Sequence, residues 1–354
     1  MVQKRNYSFD LLRIFCSFSV VCVHTGPMYS TYVTLNAGAF QNYLSLFIES
    51  FTRVGLPVLV MISGILLLSR DVKDLFCFYK KRFTIILVPF LIIAPLHYLS
   101  VNYWTHTEVT LDDLLTKILS STGVSIHFWF VYVIVGIYIV SPMFSVMVNK
   151  LEPTRAWTII KILAFTLIYN DYFSGAISGL QIPSFGIWLT YFIMGGLLTK
   201  VHIPRKIAWC TLSVGYFCTI LIYWLHVNQY LSSSMGMFDS GFNMFLFSTS
   251  IVYLFMSADF TPGERVGNRL RFISTNTYVL YLIHITVQIT LVQFIATDWL
   301  IGNVFSFTLT FSVMIFSLSL AVAIILNKLI INRITSFIMD FDFYKFYSRR
   351  GAET

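Results

Sequence analysis

The chain has 354 residues, of which 57% are apolar, 17% aromatic and only 11% charged. Soluble globular domains carry about 25% charged residues, so this composition excludes a soluble enzyme and indicates an integral membrane protein. The net charge of +8 fits an excess of Lys and Arg in cytoplasmic loops together with contact with anionic lipid. We therefore expect membrane lipids, and no nucleic acid, as partners.

Apolar runs of about 15–25 residues are long enough to be membrane-spanning helices. They predict an all-α, polytopic protein with about ten transmembrane helices, at 9–27, 54–69, 83–101, 128–148, 156–170, 183–199, 207–226, 243–258, 273–296 and 301–330. The stretch 38–53 alternates apolar and polar residues at helical spacing and is expected to lie at the membrane interface.

The distribution of basic residues predicts the orientation of the chain. Most of the 24 Lys and Arg residues fall in the N-terminus, 70–82, 149–155, 200–206, 259–272 and the tail after 331, whereas the outer loops hold Arg53 and Lys117. The positive-inside rule therefore predicts a multi-pass protein with both termini in the cytoplasm. Residues 1–354 are expected to form one domain, with 331–354 as a basic cytoplasmic tail whose 343-FYKFYSRRG-351 rests on anionic lipid.

The first apolar helix, within 9-FDLLRIFCSFSVVCVHTG-26, contains ionisable residues near both ends. A charged group in hydrocarbon costs about 2.5–3.5 kcal/mol on insertion scales. Arg13 and His24 are separated by only about 20° around a helix and by about 16 Å along it. Asp10 precedes Arg13 by one turn, where an ion pair can form, and Ser17 lies between the two ends. The helix is therefore predicted to carry one polar stripe.

This stripe predicts group transfer across a membrane. Arg13 near the cytosol suits an anion such as a donor phosphate. His24 near the outer side suits proton abstraction from a hydroxyl. The alternative is an Arg that snorkels to the interface and a His in the outer headgroup layer, but that reading does not require the two side chains to share a face.

Five stretches, in order, resemble motifs of the acyltransferase-3 family of membrane acyltransferases, and the resemblance spans nearly the whole chain. The first is the Arg-x10-His of the opening helix. The others are 53-RVGLPVLVMISGILLL-68, 79-YKKRFTIILVPFL-91, 127-HFWFVYVIVGIYIVSP-142 and 274-STNTYVLYLIH-284. The family often carries a second basic residue three positions after the arginine that matches Arg82, and here that position is Ile85.

The resemblance implies an O-acyltransferase of a bacterial inner membrane. It would move acetyl from acetyl-CoA to a hydroxyl of a surface polysaccharide, of peptidoglycan or of a lipid-linked intermediate. It implies His24 as the catalytic base and Arg13 as an essential cationic partner. We expect Asp10 to hold Arg13 in place.

Further candidate residues are expected to bind either the donor or the acceptor of this reaction. For the donor we expect Arg82 and Lys81 at the CoA phosphates, with Ser63 and Gly64 forming either a passage for the pantetheine arm or a close helix contact. For the acceptor we expect Glu49, Arg53, His127, Trp129 and His284. The alternative for Glu49 and Arg53 is a surface ion pair. For Trp129 the alternative is an interfacial aromatic residue, and for His284 it is a histidine of the core. No spacing is typical of a metal site.

Two other classes of function remain open on the sequence. A transporter or flippase of a glycan or an anionic metabolite would also place ionisable residues within the membrane, but inverted repeats and paired broken helices are not evident. A catalytically idle subunit of another membrane enzyme is the third possibility. Association into homo-oligomers or with a glycan-assembly protein is compatible with each of these functions.

Overall fold

The computed structural model describes residues 6–36, 39–173, 185–231, 241–258, 260–294 and 304–341, without the side chains of 27–36, 39–42, 227 and 304–307. Within these ranges the chain forms α-helices and no strands. The helices are α1 (Tyr7–Asn36), α2 (Ala39–Thr52), α3 (Gly55–Leu68), α4 (Leu75–Thr105), α5 (Leu111–Leu119), α6 (Trp129–Asn149), α7 (Pro153–Ile168), α8 (Ile187–Leu198), α9 (Arg205–Val227), α10 (Phe242–Met256), α11 (Glu264–Val292), α12 (Val304–Leu326) and α13 (Asn332–Asp340).

Seven described segments are long and apolar enough to cross a membrane, which confirms an all-α, polytopic membrane protein. They are Tyr7–Gly26, Tyr43–Leu68, Leu75–Thr105, Ile126–Asn149, Arg205–His226, Glu264–Val292 and Thr308–Asp340. Each of them contains one of the ten segments expected from the sequence, or most of it.

The three remaining expected spans correspond to shorter helices. α8 has 12 residues, so it is about 18 Å long, against about 30 Å for the hydrocarbon core. It is buried behind α3. α7 continues into a π-helical turn, Tyr169–Phe173, and the Tyr172 hydroxyl donates to Asn243 Oδ1 at the start of α10 (2.9 Å). The number ten stays a prediction.

The stretch 38–53 differs from the expectation of an interfacial helix. Its helix α2 joins α3 in one apolar segment, Tyr43–Leu68, and packs against α1, α9 and α12. Its polar residues Ser45, Glu49 and Thr52 are buried, and its aromatic face is exposed. The amphipathic pattern is therefore inverted relative to a helix on the membrane surface, because the polar face meets protein and the apolar face is free to meet lipid.

Helix α5 was expected to be part of an outer loop. Thr110 caps it by accepting a hydrogen bond at Oγ1 from the Asp113 backbone N–H (3.2 Å). The Tyr98 hydroxyl of α4 donates to Asp113 Oδ2 (2.7 Å), and Lys117 pairs with the same oxygen (2.7 Å). Hydrogen bonds from Lys117 and then Tyr98 lower the pKa of the Asp113 carboxyl. The signal in the sequence was a Thr followed by acidic residues in the next turn.

The segments expected to be cytoplasmic meet at one end of the helix bundle. Asn149 Nδ2 donates to Asp71 Oδ1 (2.9 Å), Lys200 Nζ to the Asn149 carbonyl (3.2 Å), and Arg205 to the Ser257 carbonyl (3.0 Å). We call this the inner end and the opposite one the outer end. The helical part of the expected tail, α13, lies at the inner end, and 343–351 lies outside the described residues.

Close approach of α3 to α8 depends on glycines in both helices. A Cβ at Gly64 would overlap the backbone oxygen of Phe192, and one at Gly195 would overlap that of Met61. Small residues allow membrane helices to approach closely and to gain van der Waals contact. Packing therefore accounts for the Gly64 in the Ser-Gly motif.

This packing predicts that Gly64→Ala destabilises the protein, whereas Gly136→Ala in α6 does not, since nothing lies within 4 Å of a Cβ at Gly136. Overpacking costs about 1–3 kcal/mol, while Ala in place of an open helical Gly is favourable by roughly 0.5–1 kcal/mol. Thermal unfolding of both variants in the same detergent tests this. Equal midpoints would contradict the assigned α3–α8 contact.

Candidate active site

The predicted polar stripe of α1 lies along α11. Near the inner end, the Ser274 hydroxyl donates to Asp10 Oδ1 (2.8 Å), and Asp10 is buried. Near the outer end, the ring of His24 lies 5.1 Å from that of His284. Gln288 Nε2 donates to the His24 carbonyl (3.0 Å). Both ends of the stripe therefore contact the same neighbouring helix, which confirms that they share a face of α1.

The ion pair expected one turn into α1 is present. Arg13 Nη1 lies 3.4 Å from Asp10 Oδ1, and the side chain of Arg13 is 28% exposed. The same carboxylate oxygen accepts from the Ser274 hydroxyl, so two partners hold the Asp10 side chain in place. Asp10 thereby fixes the position of Arg13 while leaving part of the guanidinium accessible.

A second arginine lies near Arg13 at the inner end. Tyr138 of α6 lies near Arg82, Arg13 and Ser63. The Nε of Arg82 is buried without a hydrogen-bond partner among the described residues, and the guanidinium lies 5.7 Å from the Phe78 ring. An unsatisfied, partly desolvated guanidinium suits an anion. We call Arg13, Ser63, Arg82 and Tyr138 the inner cluster.

The two lysines before Arg82 have different surroundings. Lys80 Nζ donates to the carbonyls of Met339 (2.9 Å) and Phe341 (2.7 Å), so it binds the C-terminal end of α13. Lysine at a helix C-terminus is favourable because of the exposed carbonyls and the helix dipole. Lys81 is exposed, and its role toward a donor stays a prediction, as do those of Ser63 and Gly64.

Four histidines from four parts of the chain meet at the outer end. The His284 ring lies 5.0 Å from that of His127 in the turn before α6. His127 lies 6.2 Å from His24 and 5.8 Å from His97 of α4. His24 was predicted as the base and His127 and His284 as acceptor residues. His97 was missed because nothing local distinguishes it from a histidine at the end of a span.

Hydrogen bonds define the donor and acceptor nitrogens of two of these rings. His127 Nε2 lies 3.1 Å from the Leu282 carbonyl, which can only accept, so Nε2 carries the proton and Nδ1 accepts from the Ser125 hydroxyl (2.8 Å). His284 Nδ1 likewise donates to the Tyr281 carbonyl (2.5 Å). The neutral His284 ring then presents an unprotonated Nε2.

That Nε2 is buried and has no hydrogen-bond partner among the described residues. A buried acceptor without a donor is costly and is typical of a site that completes itself with a ligand. His24 also makes no hydrogen bond through its ring to a described residue, and it is half-buried. Within the described ranges no group of His, Cys, Asp and Glu could hold a metal ion. Imidazole nitrogens without a hydrogen-bond partner are suited to accept a proton.

The break between α2 and α3 places Arg53 beside His24. The two residues line one small cavity of ≈ 30 Å³ together with Thr52 and Leu56. Interrupted helices inside a membrane protein occur where they border a cavity. Gly55 permits this arrangement, because a Cβ there would lie 2.8 Å from the Cys16 carbonyl of α1.

Two predicted acceptor residues have their partners on other helices. Glu49 is buried rather than exposed, and its Oε2 accepts a hydrogen bond from the Tyr223 hydroxyl of α9. A surface ion pair therefore does not explain Glu49, because the carboxylate faces α9 inside the bundle. Trp129 contacts Trp188 of α8, with ring centroids 5.1 Å apart. Contact of either residue with an acceptor stays a prediction.

Known proteins resemble this chain over most of its length. The model of the acyltransferase-3 family, described as an acyltransferase domain, matches residues 6–328. A Bacillus subtilis (strain 168) protein named "Putative membrane-bound acyltransferase YfiQ" is 27% identical over 296 residues, which cover 77% of this chain and 78% of that protein. No solved structure matches the chain.

The Asp10–Ser274 contact predicts energetic coupling between α1 and α11. In a double-mutant cycle, Asp10→Asn and Ser274→Ala should show a coupling free energy of about 1.5–3 kcal/mol, the range for a hydrogen bond to a charged group. Unfolding in detergent measures it. Thr275→Ala is the control, since its hydroxyl donates to the Phe272 carbonyl of its own helix (2.9 Å). Equal coupling of Asp10 to both positions would contradict the assignment.

Proposed function

Because this chain belongs to the acyltransferase-3 family, we propose that this membrane-bound acyltransferase moves acetyl from cytosolic acetyl-CoA to a hydroxyl of a cell-surface or lipid-linked glycan. The transfer would take place at the periplasmic side of a bacterial inner membrane. The observation that carries the proposal is the separation of two polar sites along one face of α1. The arginines of the inner cluster lie at one end, and the histidine rings lie at the other.

The inner cluster suits the phosphates of the donor. Arg13 is partly accessible, and Arg82 has an unpartnered N–H, so both guanidinium groups can bind phosphate oxygens in the forked geometry that arginine favours. The positive charge of the loops at this end supports its assignment to the cytosol. A donor held here must reach His24, about 16 Å further along α1. An acyl-CoA has that construction, with phosphates at one end of an extended arm and a thioester at the other.

His24 would act as the general base. Its imidazole accepts the proton of the acceptor hydroxyl, and the hydroxyl oxygen attacks the thioester carbonyl carbon. The resulting oxyanion lies near the charge of Arg53, which supplies the stabilisation that such an intermediate needs. The C–S bond then breaks, His24 returns its proton to the thiolate, and the products are an acetyl ester and CoA.

The neighbouring histidines would support this proton transfer. Once His24 is protonated, its N–H groups require acceptors, and His284 Nε2 is an acceptor without a partner in the described part of the chain. His127 keeps both nitrogens in hydrogen bonds to protein atoms, so it positions His284 and does not itself titrate in the reaction. Gln288 holds the backbone of His24 through its carbonyl.

Replacement of the base is predicted to slow transfer strongly. His24→Asn should lower kcat by roughly 10²–10⁴-fold, the usual contribution of general acid–base catalysis, with donor binding preserved. The measurement is transfer of radioactive acetyl from acetyl-CoA to surface glycan in membranes that contain equal amounts of each variant. His106→Asn is the matched control, because His106 lies just past the end of α4 in a left-handed backbone conformation that Asn tolerates. Full activity of His24→Asn would disprove the mechanism.

Binding of the donor phosphates by Arg82 can be tested separately from reaction of the thioester. Arg82→Ala should lower kcat/KM for acetyl-CoA by about tenfold or more, since it removes a charge-assisted hydrogen bond of about 1.5–3 kcal/mol. It should leave the rate with S-acetylpantetheine, which lacks phosphates, unchanged. Lys73→Ala, which removes an exposed cation just before α4, is the control. An equal loss with both donors would show that Arg82 does not bind phosphate.

A further inference from the structure

Helix α5, between α4 and α6, carries a row of exposed leucines. Leu111, Leu115 and Leu119 are 70%, 53% and 86% exposed. At 100° per residue they lie within about 80° of one another around the helix, so they form one continuous face. Neighbouring exposed apolar side chains of this kind mark contact with another molecule or with a membrane. We call these three residues the leucine row.

The opposite side of α5 is held against two membrane-spanning helices. The Tyr98 hydroxyl of α4 donates to Asp113 Oδ2 (2.7 Å), and Lys117 Nζ lies 5.2 Å from the centroid of the Tyr98 ring. The Tyr132 hydroxyl of α6 donates to the Ile118 carbonyl. Asp113 and Lys117 lie roughly 160–200° around the helix from the middle of the leucine row. The leucine row therefore points away from the bundle.

The contact with Tyr98 places α5 below the outer end of α4. Tyr98 lies seven residues before Thr105, the last residue of α4, which corresponds to about 10 Å along the helix. Aromatic side chains gather at that end, where the Trp104 ring lies 4.9 Å from that of Tyr103 and 5.7 Å from that of Phe294, just after α11. Such aromatic groups are typical of the membrane–water boundary. α5 therefore lies at the depth of the outer leaflet.

The two edges of the leucine row differ in polarity. Asp112 and Thr116, on one edge, are exposed, whereas Leu114 and Ile118, on the other, are half-buried. A helix with a polar side and an apolar side lies in the plane of the membrane interface, with the apolar side in the acyl region and the polar side toward water. The arrangement of α5 beside α4 allows both sides to be satisfied at once.

We propose that the leucine row is an interaction surface for the outer leaflet of the bilayer, in which α5 lies as an interfacial helix. The contact is with hydrocarbon and not with headgroup charge, because Lys117 already pairs with Asp113 (2.7 Å). A second protein chain is not needed to cover the row, since lipid is present at that depth. His97 directly precedes Tyr98, and its ring lies 5.8 Å from that of His127, so the lipid-bound helix is held beside the histidine rings.

Nitroxide side chains on α5 measure these surroundings directly. Each residue of the leucine row is replaced in turn by Cys in a full-length protein whose accessible cysteines have been changed to Ser, and the labelled protein is reconstituted as single copies in phosphatidylcholine nanodiscs. Collisions of the nitroxide with molecular oxygen, which concentrates in hydrocarbon, and with a neutral nickel complex, which stays in water, give its depth. We expect depths of about 5–10 Å below the headgroup boundary, the range for interfacial helices.

Thr116→Cys is the matched control, because Thr116 is also exposed but lies 100° further around α5 than Leu115, on the polar edge. Its label should collide more with the nickel complex than with oxygen. The same preference for nickel along the leucine row would show that the row faces water and would overturn the proposal. Low accessibility of the row to both reagents would indicate a protein contact and would overturn it as well, as would equal depths at Thr116 and Leu115.

The lipid composition separates hydrocarbon contact from headgroup charge. The depths should stay the same when phosphatidylglycerol is added to the nanodiscs, because the cation of α5 is paired within the helix. Insertion that occurs only with the anionic lipid would assign the contact to charge and contradict the proposal. No substrate enters these measurements, so their outcome is independent of the proposed acyl transfer.

Discussion

The polar contact between α1 and α11 is the constraint on which the rest of this structure depends. In hydrocarbon, a buried carboxylate or imidazole has no water to bind, so it must find partners within the protein. Asp10 finds Ser274, and His24 lies against His284. These contacts lie at opposite ends of the same helix pair, so they set the rotation and the relative depth of α1 and α11 at once.

α11 extends this constraint to the neighbouring helices. The Tyr278 hydroxyl donates to the Ile86 carbonyl of α4 (2.9 Å), and the Tyr281 hydroxyl donates to the His127 carbonyl. Near the inner end, Asn276 accepts a hydrogen bond from Asn327 after α12 (2.7 Å). Because each of these groups would be expensive to leave unpaired, the polar residues of 274–284 select the neighbours of α11 as well as form part of the site.

The interruption between α2 and α3 positions a side chain in a way that an intact helix would not. A continuous helix would carry its side chains past His24 at regular spacing, whereas the break places a cation next to the imidazole. The inward polar face of α2 gives Glu49 a partner in Tyr223, and its outward aromatic face borders a cavity between α1, α2 and α12. One short helix thus separates a polar reaction site from a region open to lipid.

The sequence alone determined the membrane class, the helical fold, and the shared face of Asp10, Arg13 and His24, because composition, apolar run length and helical periodicity are local properties. It also identified Ser274 to His284 as a motif without showing what the motif contacts. Only the tertiary structure brought His97 and Tyr138 to the two polar sites, turned Glu49 inward, and placed Arg53 at a helix break. Those outcomes depend on which helices pack together, and packing is decided by contacts between residues far apart in the chain, which no local pattern records.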